Sequence, residues 1–337
     1  MDFVGIDLHK KTISLCVVDQ ERNVLDRRRF YCSEPERIVG FFEGRGAFQA
    51  VVEAPASYEW LVSLLEPLAD RVVLAHPKKL RIIAESTRKS DQLDAQVLAE
   101  FLALDMIPEA YRPSQRERAH RILVRHRHYI SRRLTSVRNK IRRVLSDYNA
   151  DREDLFTQIG LTYLGKVAVS EADRFVLDQL RAAWEVSIAQ LRAVEQRLRA
   201  FAQDAPSREA EARAVLDTIP GVGPGTVDVV VSELGDIRRF ASQKKACAYA
   251  GLAPGGRESA GHRKQLGITK EGSKLLRWVL VEAAWRWVRR TNRWGSIFEA
   301  LTKRRGKKKA ITAVARQLLC VMVSMLQRGQ RYRPAMV

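Results

Sequence analysis

The first hundred residues alternate short apolar runs with amphipathic stretches. Phe3-Val4-Gly5-Ile6-Asp7 is an apolar run closed by an acid, and Gln49-Ala50-Val51-Val52-Glu53 repeats that design. Thr12 to Val18 is β-branched and apolar, Val24 to Phe30 is placed to return beside it, and Arg71 to Ala75 is a further short run. All five read as strands. Between them, 34–43 and 58–68 read as helices. A third helix is expected over 91–104, with Leu93, Val97, Leu98 and Phe101 as its buried stripe. Strands mixed with helices over about 105 residues make one compact α/β domain.

Pro108 and Pro113 mark a boundary. Beyond it Ile130, Leu134, Val137, Ile141, Val144 and Tyr148 step by alternating fours and threes, the heptad spacing of a coiled-coil seam. Val176, Leu180, Trp184, Leu191, Val194, Leu198 and Phe201 lie on a second such seam, with Ser187 in its one gap. The expected pairing is an antiparallel helical hairpin or a dimer contact. Residues 204–209 break the pattern, and a mostly helical region without repeats follows.

Charge changes this picture. The 337 residues carry 59 Lys and Arg against 39 Asp and Glu, a net charge of +20. Residues 112–145 alone hold twelve Lys or Arg and one acid, Glu117. Such an excess fits a polyanionic partner, because neutralising phosphates releases counterions. No apolar run of about 18 residues is present, so no membrane span is expected. No signal peptide is visible at the N-terminus. The four cysteines, Cys16, Cys32, Cys247 and Cys320, form no C-x-x-C pair, which argues against a disulfide framework or zinc site and fits a reducing cytosol.

Three constellations could carry chemistry. Asp7 and Glu53 each close a predicted strand, and Asp91 and Asp94 stand three apart near a helix start, so that both project from one face. Gathered carboxylates suit a hard cation such as Mg²⁺ and phosphate chemistry. Each acid alone reads as a surface residue or, for Asp91 after Ser90, a helix cap. The set of four in so basic a chain favours a metal site.

The second constellation is Ile219-Pro220-Gly221-Val222-Gly223-Pro224-Gly225-Thr226, which reads as a helix-hairpin-helix element whose backbone N–H groups grip a phosphate without reading sequence. The third is the Gly-rich stretch 251–277. There Ser259 lies amid Arg257, His262, Arg263 and Lys264, in a loop that composition alone reads as basic with an incidental serine. A serine there would need a base or a polarised phosphate to act as a nucleophile, and the cations would steady the charge that develops. Ser273 reads as a helix start. Arg132, Arg133, Arg142 and Arg143 on the first basic helix are expected to meet phosphate, as are Lys270 and the run 303–309 with Lys307 and Lys308. The six histidines show no metal-ligand spacing. Trp278, Trp285 and Trp287 read as core packing, with base stacking the lesser reading.

Together, Gly5-Ile6-Asp7-Leu8-His9-Lys10, Val52-Glu53-Ala54, Lys89-Ser90-Asp91-Gln92-Leu93-Asp94-Ala95, Pro220-Gly221-Val222-Gly223, Gly251-Leu252-Ala253-Pro254, Ser259-Ala260-Gly261, Gly267-Ile268-Thr269-Lys270 and Leu275-Leu276-Arg277 resemble the DEDD transposases of bacterial insertion sequences. That group includes the pilin-gene invertases and the bridge-RNA-guided recombinases. The resemblance implies an α/β RNase H-like (RuvC-like) domain over 1–108 and a helical coiled-coil connector over 109–205. It further implies a mostly α C-terminal transposase domain over 206–337 with the helix-hairpin-helix element and the serine loop. It places the metal acids on Asp7, Glu53, Asp91 and Asp94, with Mg²⁺ as cofactor, and the nucleophile on Ser259, although the family often shows Ser-Ser-Gly or Ser-Gly there. It implies a DNA recombinase forming a phosphoserine link, guided by a structured RNA, acting as a dimer or tetramer with sites shared between subunits. The location implied is the bacterial cytoplasm at the nucleoid, with no membrane partner. The alternative is a RuvC-like structure-specific endonuclease using metal-activated water.

Overall fold

A computed structural model describes residues 1–53, 57–77, 79–80, 91–259 and 262–333; for 91–93, 257–259 and 262–265 only the backbone is described. The chain divides into two units, Met1–Arg112 and Pro113–Val337.

The first unit is built on a five-stranded sheet of order β3-β2-β1-β4-β5. Strands β1 (Asp2–Leu8), β2 (Thr12–Val18) and β3 (Val24–Tyr31) form an antiparallel meander, while β4 (Phe48–Glu53) and β5 (Arg71–Ala75) run parallel to β1. The central strands are apolar on both sides because both faces of the sheet are covered. Helices α1 (Pro35–Glu43) and α2 (Glu59–Leu65) cover one face, where Val4, Ile6, Ile38, Phe42, Leu61 and Leu65 share a core. Edge strand β3 has charged, solvent-facing residues at Arg27, Arg28 and Arg29, and charge on an edge discourages strand addition. Helix α2 stops three residues short of its expected end, just before Pro67, whose ring cannot continue the ladder.

Helix α3 (Asp91–Ala103) covers the other face. Its buried positions are Ala95, Leu98, Ala99 and Leu102, whereas Val97 and Phe101 are only half-buried; this corrects the expected stripe. The Leu93 side chain lies outside the described residues. Small residues are needed here because α3 sits directly on β1. A Cβ on Gly5 would collide with the Ala95 carbonyl oxygen and the Ala99 amide nitrogen.

Among the described residues the second unit is helical apart from one hairpin. Helix α4 (Gln115–Ser146) opens with a capping box, Ser114 accepting from the Glu117 amide while Glu117 accepts from the Ser114 amide. After α5 (Gln158–Lys166), helix α6 (Glu171–Gln203) returns along it. The pair is antiparallel: Arg116 at the start of α4 lies over the Phe201 ring near the end of α6, and Tyr148 just past α4 donates to Asp173 at the start of α6. The buried seam runs through Ile130, Leu134, Val137, Ile141 and Leu145 on α4, and Leu177, Trp184, Ser187, Val194 and Leu198 on α6. Leu145 and Leu177 thus take the places expected of Tyr148 and Val176, which are exposed, while Val144 packs half-buried against the seam. A straight helix drifts by about 20° per heptad, which brings the neighbouring residue into the seam. Ser187 is fully buried and donates its hydroxyl to the Ala183 carbonyl at 2.6 Å.

The remaining core gathers α7 (Ser207–Asp217), α8 (Pro224–Leu234), α9 (Gln243–Tyr249), α10 (Lys274–Arg290), α11 (Asn292–Arg305) and α12 (Lys307–Arg328), joined by Val124 of α4 and Leu198 of α6. By length and composition α12 could cross a membrane, but its apolar residues Val314, Leu318, Leu319 and Met322 are buried in this core. Where a Gly-rich loop was expected, β6 (Pro254–Ser259) and β7 (His262–Ile268) form an antiparallel hairpin.

Candidate functional site

Two of the four sequence-predicted acids come together through the sheet. Ile6 pairs with Val52 on the parallel strands β1 and β4, so Asp7 and Glu53 are the next residues on neighbouring strands, about 4.8 Å apart in the pairing direction. Side chains alternate along a strand, so Asp7 shares the side of Gly5, and Glu53 that of Val51. Gly5 abuts α3 and Val51 packs with Leu98 and Leu102 of α3, which puts both carboxylates on the α3 face. Asp94 is exposed in the first turns of α3 and immediately precedes Ala95, the residue whose carbonyl Gly5 meets. Asp91 begins α3, and its side chain lies outside the described residues.

Asp7 is buried, and its Oδ2 lies 3.0 Å from His9 Nε2. His9 is not singled out by the sequence pattern, because its usefulness depends on the strand end turning it back toward Asp7. Hard oxygen donors on one face suit a hard divalent cation, so Asp7, Glu53 and Asp94 fit that role by their chemistry. Among the described residues, no three His, Cys, Asp or Glu side chains are already close enough to form such a cage.

The hairpin places Ser259 at the end of β6, its backbone paired with His262; Arg257 pairs with Lys264 and Glu258 with Arg263. The side chains of Arg257, Ser259, His262, Arg263 and Lys264 lie outside the described residues. Ser273 caps α10, its hydroxyl accepting from the Leu276 amide at 3.1 Å, as the sequence predicts. Lys270 is exposed with a left-handed φ of 58°.

Residues 219–223 link α7 to α8. Gly221 has φ +83° and packs against Arg286 of α10, so a side chain there would be strained, while Gly223 is the N-cap of α8. The guanidinium of Arg127 stands 3.9 Å from where a Cβ on Gly225 would be.

Much of the basic charge of α4 is spent inside the protein. Arg125 makes two bonds to Glu233, at 2.9 and 3.0 Å, although Glu233 is only 1% exposed. Arg121 donates to the carbonyls of Ser232 and Glu233, and Arg127 pairs with Glu195. Arg116 pairs with Glu209, which also binds Arg213; Arg213 bridges to Asp228, whose Oδ1 is 3.2 Å from His120 Nε2. Burial pushes the Asp228 carboxyl up, but hydrogen bonds with His120 and Arg213 hold it below its ordinary value of 3.8. Arg142 pairs with Asp151 and Arg143 with Asp147. Arg132 and Arg133 are exposed and make no ion pair among the described residues. Lys308 is exposed, and Lys307 stands 5.5 Å above the Trp285 ring.

Two family models match the chain: a DEDD transposase model of IS110 type over residues 4–150, and the transposase IS116/IS110/IS902 family model over residues 213–299. The chain is 24% identical to the transposase for insertion sequence element IS1111A of Coxiella burnetii, over 98% of this chain and 91% of the relative. It is 22% identical to a probable family 20 transposase of Pseudomonas aeruginosa over 98% of both chains. It is 24% identical to the pilin gene-inverting protein of Moraxella lacunata, over 98% and 97% of the two chains.

Proposed function

Because the chain carries the transposase domains of the IS110/IS116 family, an RNase H-like DEDD domain first and a mostly helical part after it, we propose that it is a DNA transposase that cuts and exchanges strands through a serine–DNA link. The observation that carries the reading is the placing of Asp7 and Glu53 side by side at the ends of parallel strands, on the face covered by α3. Asp7, Glu53, Asp91 and Asp94 would hold Mg²⁺, which supplies Lewis-acid polarisation of a phosphate oxygen when bound. His9, 3.0 Å from Asp7, orients that carboxylate.

Ser259 is the proposed nucleophile. Its Oγ forms a bond to the phosphorus, the bond from phosphorus to one nucleoside oxygen breaks, and the serine proton ends on the released hydroxyl. A second DNA hydroxyl reverses the step, joining the phosphate to a new strand and freeing the serine. Arg257, Arg263 and Lys264 offset the charge on the phosphate as it becomes pentavalent. Gly221 and Gly223 hold a DNA backbone at the hairpin between α7 and α8, with Arg132, Arg133, Arg142, Arg143, Lys270, Lys307 and Lys308 as further phosphate contacts. The three-part division at 108 and 205, the coiled-coil character of the α4–α6 pair, the assembly as dimer or tetramer and the choice of site by a structured RNA belong to the same proposal; the first two are supported by the sequence pattern, the last two by family resemblance.

The test is a denaturing gel of element-end DNA incubated with the protein and magnesium. The expected result is a protein–DNA band that Ser259→Ala abolishes while DNA binding persists, since the change removes a single hydroxyl oxygen and leaves the basic residues in place. Free DNA ends without a band would instead support the water-using endonuclease. A band that survives Ser259→Ala but not Ser273→Ala would move the nucleophile.

A further inference from the structure

Helix α10 carries three tryptophans with different surroundings. Trp287 is fully buried and stacked on Trp294, with ring centroids 4.4 Å apart. Trp285 is half-buried against Phe298. Trp278 is 52% exposed, so core packing does not account for it. Its ring lies 5.1 Å from the ring of His128 on α4, tilted by 47°, so the two aromatic side chains form one ledge across two helices.

The surroundings of that ledge are basic. Arg132, one turn along α4, is exposed, and Lys274, one turn before Trp278, is exposed as well. Glu282, one turn after Trp278, is half-buried. Burial lowers the pKa of His128 below its ordinary 6.5, and the charges of Arg132 and Arg127 lower it further. The imidazole is therefore a neutral ring near pH 7, and both arginines lie close enough for their fields to reach it. Arg127 also borders Gly225 at the start of α8, so the ledge adjoins the hairpin proposed above to hold a DNA backbone.

The geometry points to Trp278, seated against His128, as a platform on which an unpaired base of a DNA strand stacks. The inference rests on the DNA-acting reading and adds a site to it. An aromatic face bordered by cations matches a single strand, whose phosphates meet the charges while its base covers the ring. In an intact duplex the base faces are already covered by their neighbours, so duplex DNA meets the charges without using the indole. Strand exchange through staggered cuts exposes such bases.

The test compares Trp278→Ala, Trp278→Phe and the unaltered full chain. Fluorescence anisotropy is read with a labelled mixed-sequence single-stranded DNA, the same sequence as blunt duplex, and the matching RNA, all at one salt concentration. Trp278→Ala should weaken single-strand binding by about 5- to 150-fold, the range that follows from removing one stacking ring. Trp278→Phe should retain most of the affinity, and duplex binding should stay within about twofold for both variants. Unchanged single-strand affinity in Trp278→Ala, with circular dichroism matching the unaltered chain, overturns the platform while leaving the transposase reading in place. An equal loss on duplex, or a loss confined to RNA, overturns the assignment to an unpaired DNA base. No DNA binding by the unaltered chain would remove the transposase reading, and the platform with it.

Discussion

Gly5 of β1 and Ala95 of α3 are in backbone-to-backbone contact, with no room for a methyl group between them. Two residues along β1 stands Asp7, and one residue before Ala95 stands Asp94. The closeness of strand and helix therefore fixes the spacing of two proposed metal acids. Gly5→Ala should destabilise the first unit by about 1–3 kcal/mol, the usual cost of overpacking. Gly40→Ala, in the middle of α1 with nothing within 4 Å of the added methyl, should be neutral or stabilising by up to about 1 kcal/mol. Urea unfolding of both variants checks the contrast.

Magnesium should bind the first unit in the absence of DNA. At a concentration about ten times Kd the stability gain is about 1.4 kcal/mol, read as a rise in melting temperature. Asp7→Asn and Glu53→Gln should each remove that rise while both variants keep a cooperative melting transition in chelator. A magnesium response unchanged in both variants would sink the shared site.

Arg125→Ala should be among the most damaging single changes on α4. It strands the Glu233 carboxylate in the core, and breaking a buried pair costs about 3–5 kcal/mol; the half-exposed Arg125 places this case at the low end. Arg125→Ala with Glu233→Gln should recover part of the loss. A double-mutant cycle on chemical unfolding measures the coupling.

Acid should loosen the second unit. The Asp228 carboxyl lies below its ordinary 3.8, and Glu209 lies below 4.5 because bonds from Arg116 and Arg213 outweigh its burial. The hydrogen bond from Arg238 brings Asp236 down to about 2. Folded-state values lowered in this way give stability that is present above about pH 4.5 and lost as pH falls through the lowered values. Urea midpoints taken between about pH 5 and 2 should fall, and the fall should be shallower in Asp228→Asn.

The strands were legible because their signal is local. β2 and β5 begin and end where the apolar runs do, and the acids are visible as single letters, Glu53 closing β4 as expected while β1 runs one residue past Asp7 to Leu8. The α3 face was misread because Ala95 and Ala99 carry little hydrophobic weight, and their use depends on a glycine some ninety residues earlier. The β6–β7 hairpin was hidden by composition: its glycines and cations look like a loop, and only pairing across the turn makes them strands. The ion pairing of some α4 arginines was hidden for a related reason. Arg121 and Arg125 find their partners on α8, more than a hundred residues further on, a distance that no pattern within α4 can register.

Helix α4 belongs to two cores at once. Val124 packs with α8 and the C-terminal helices, whereas Leu134 to Leu145 pack with α5 and α6. Its 32 residues form one rod of about 48 Å, so the angular phase of one core is inherited by the other. One residue inserted between Val124 and Ile130 would turn the far core by about 100° and advance it by about 1.5 Å. A shorter or longer connector is therefore tolerated only in steps near whole turns, and the protein's dimensions along this axis are quantised by the helix itself.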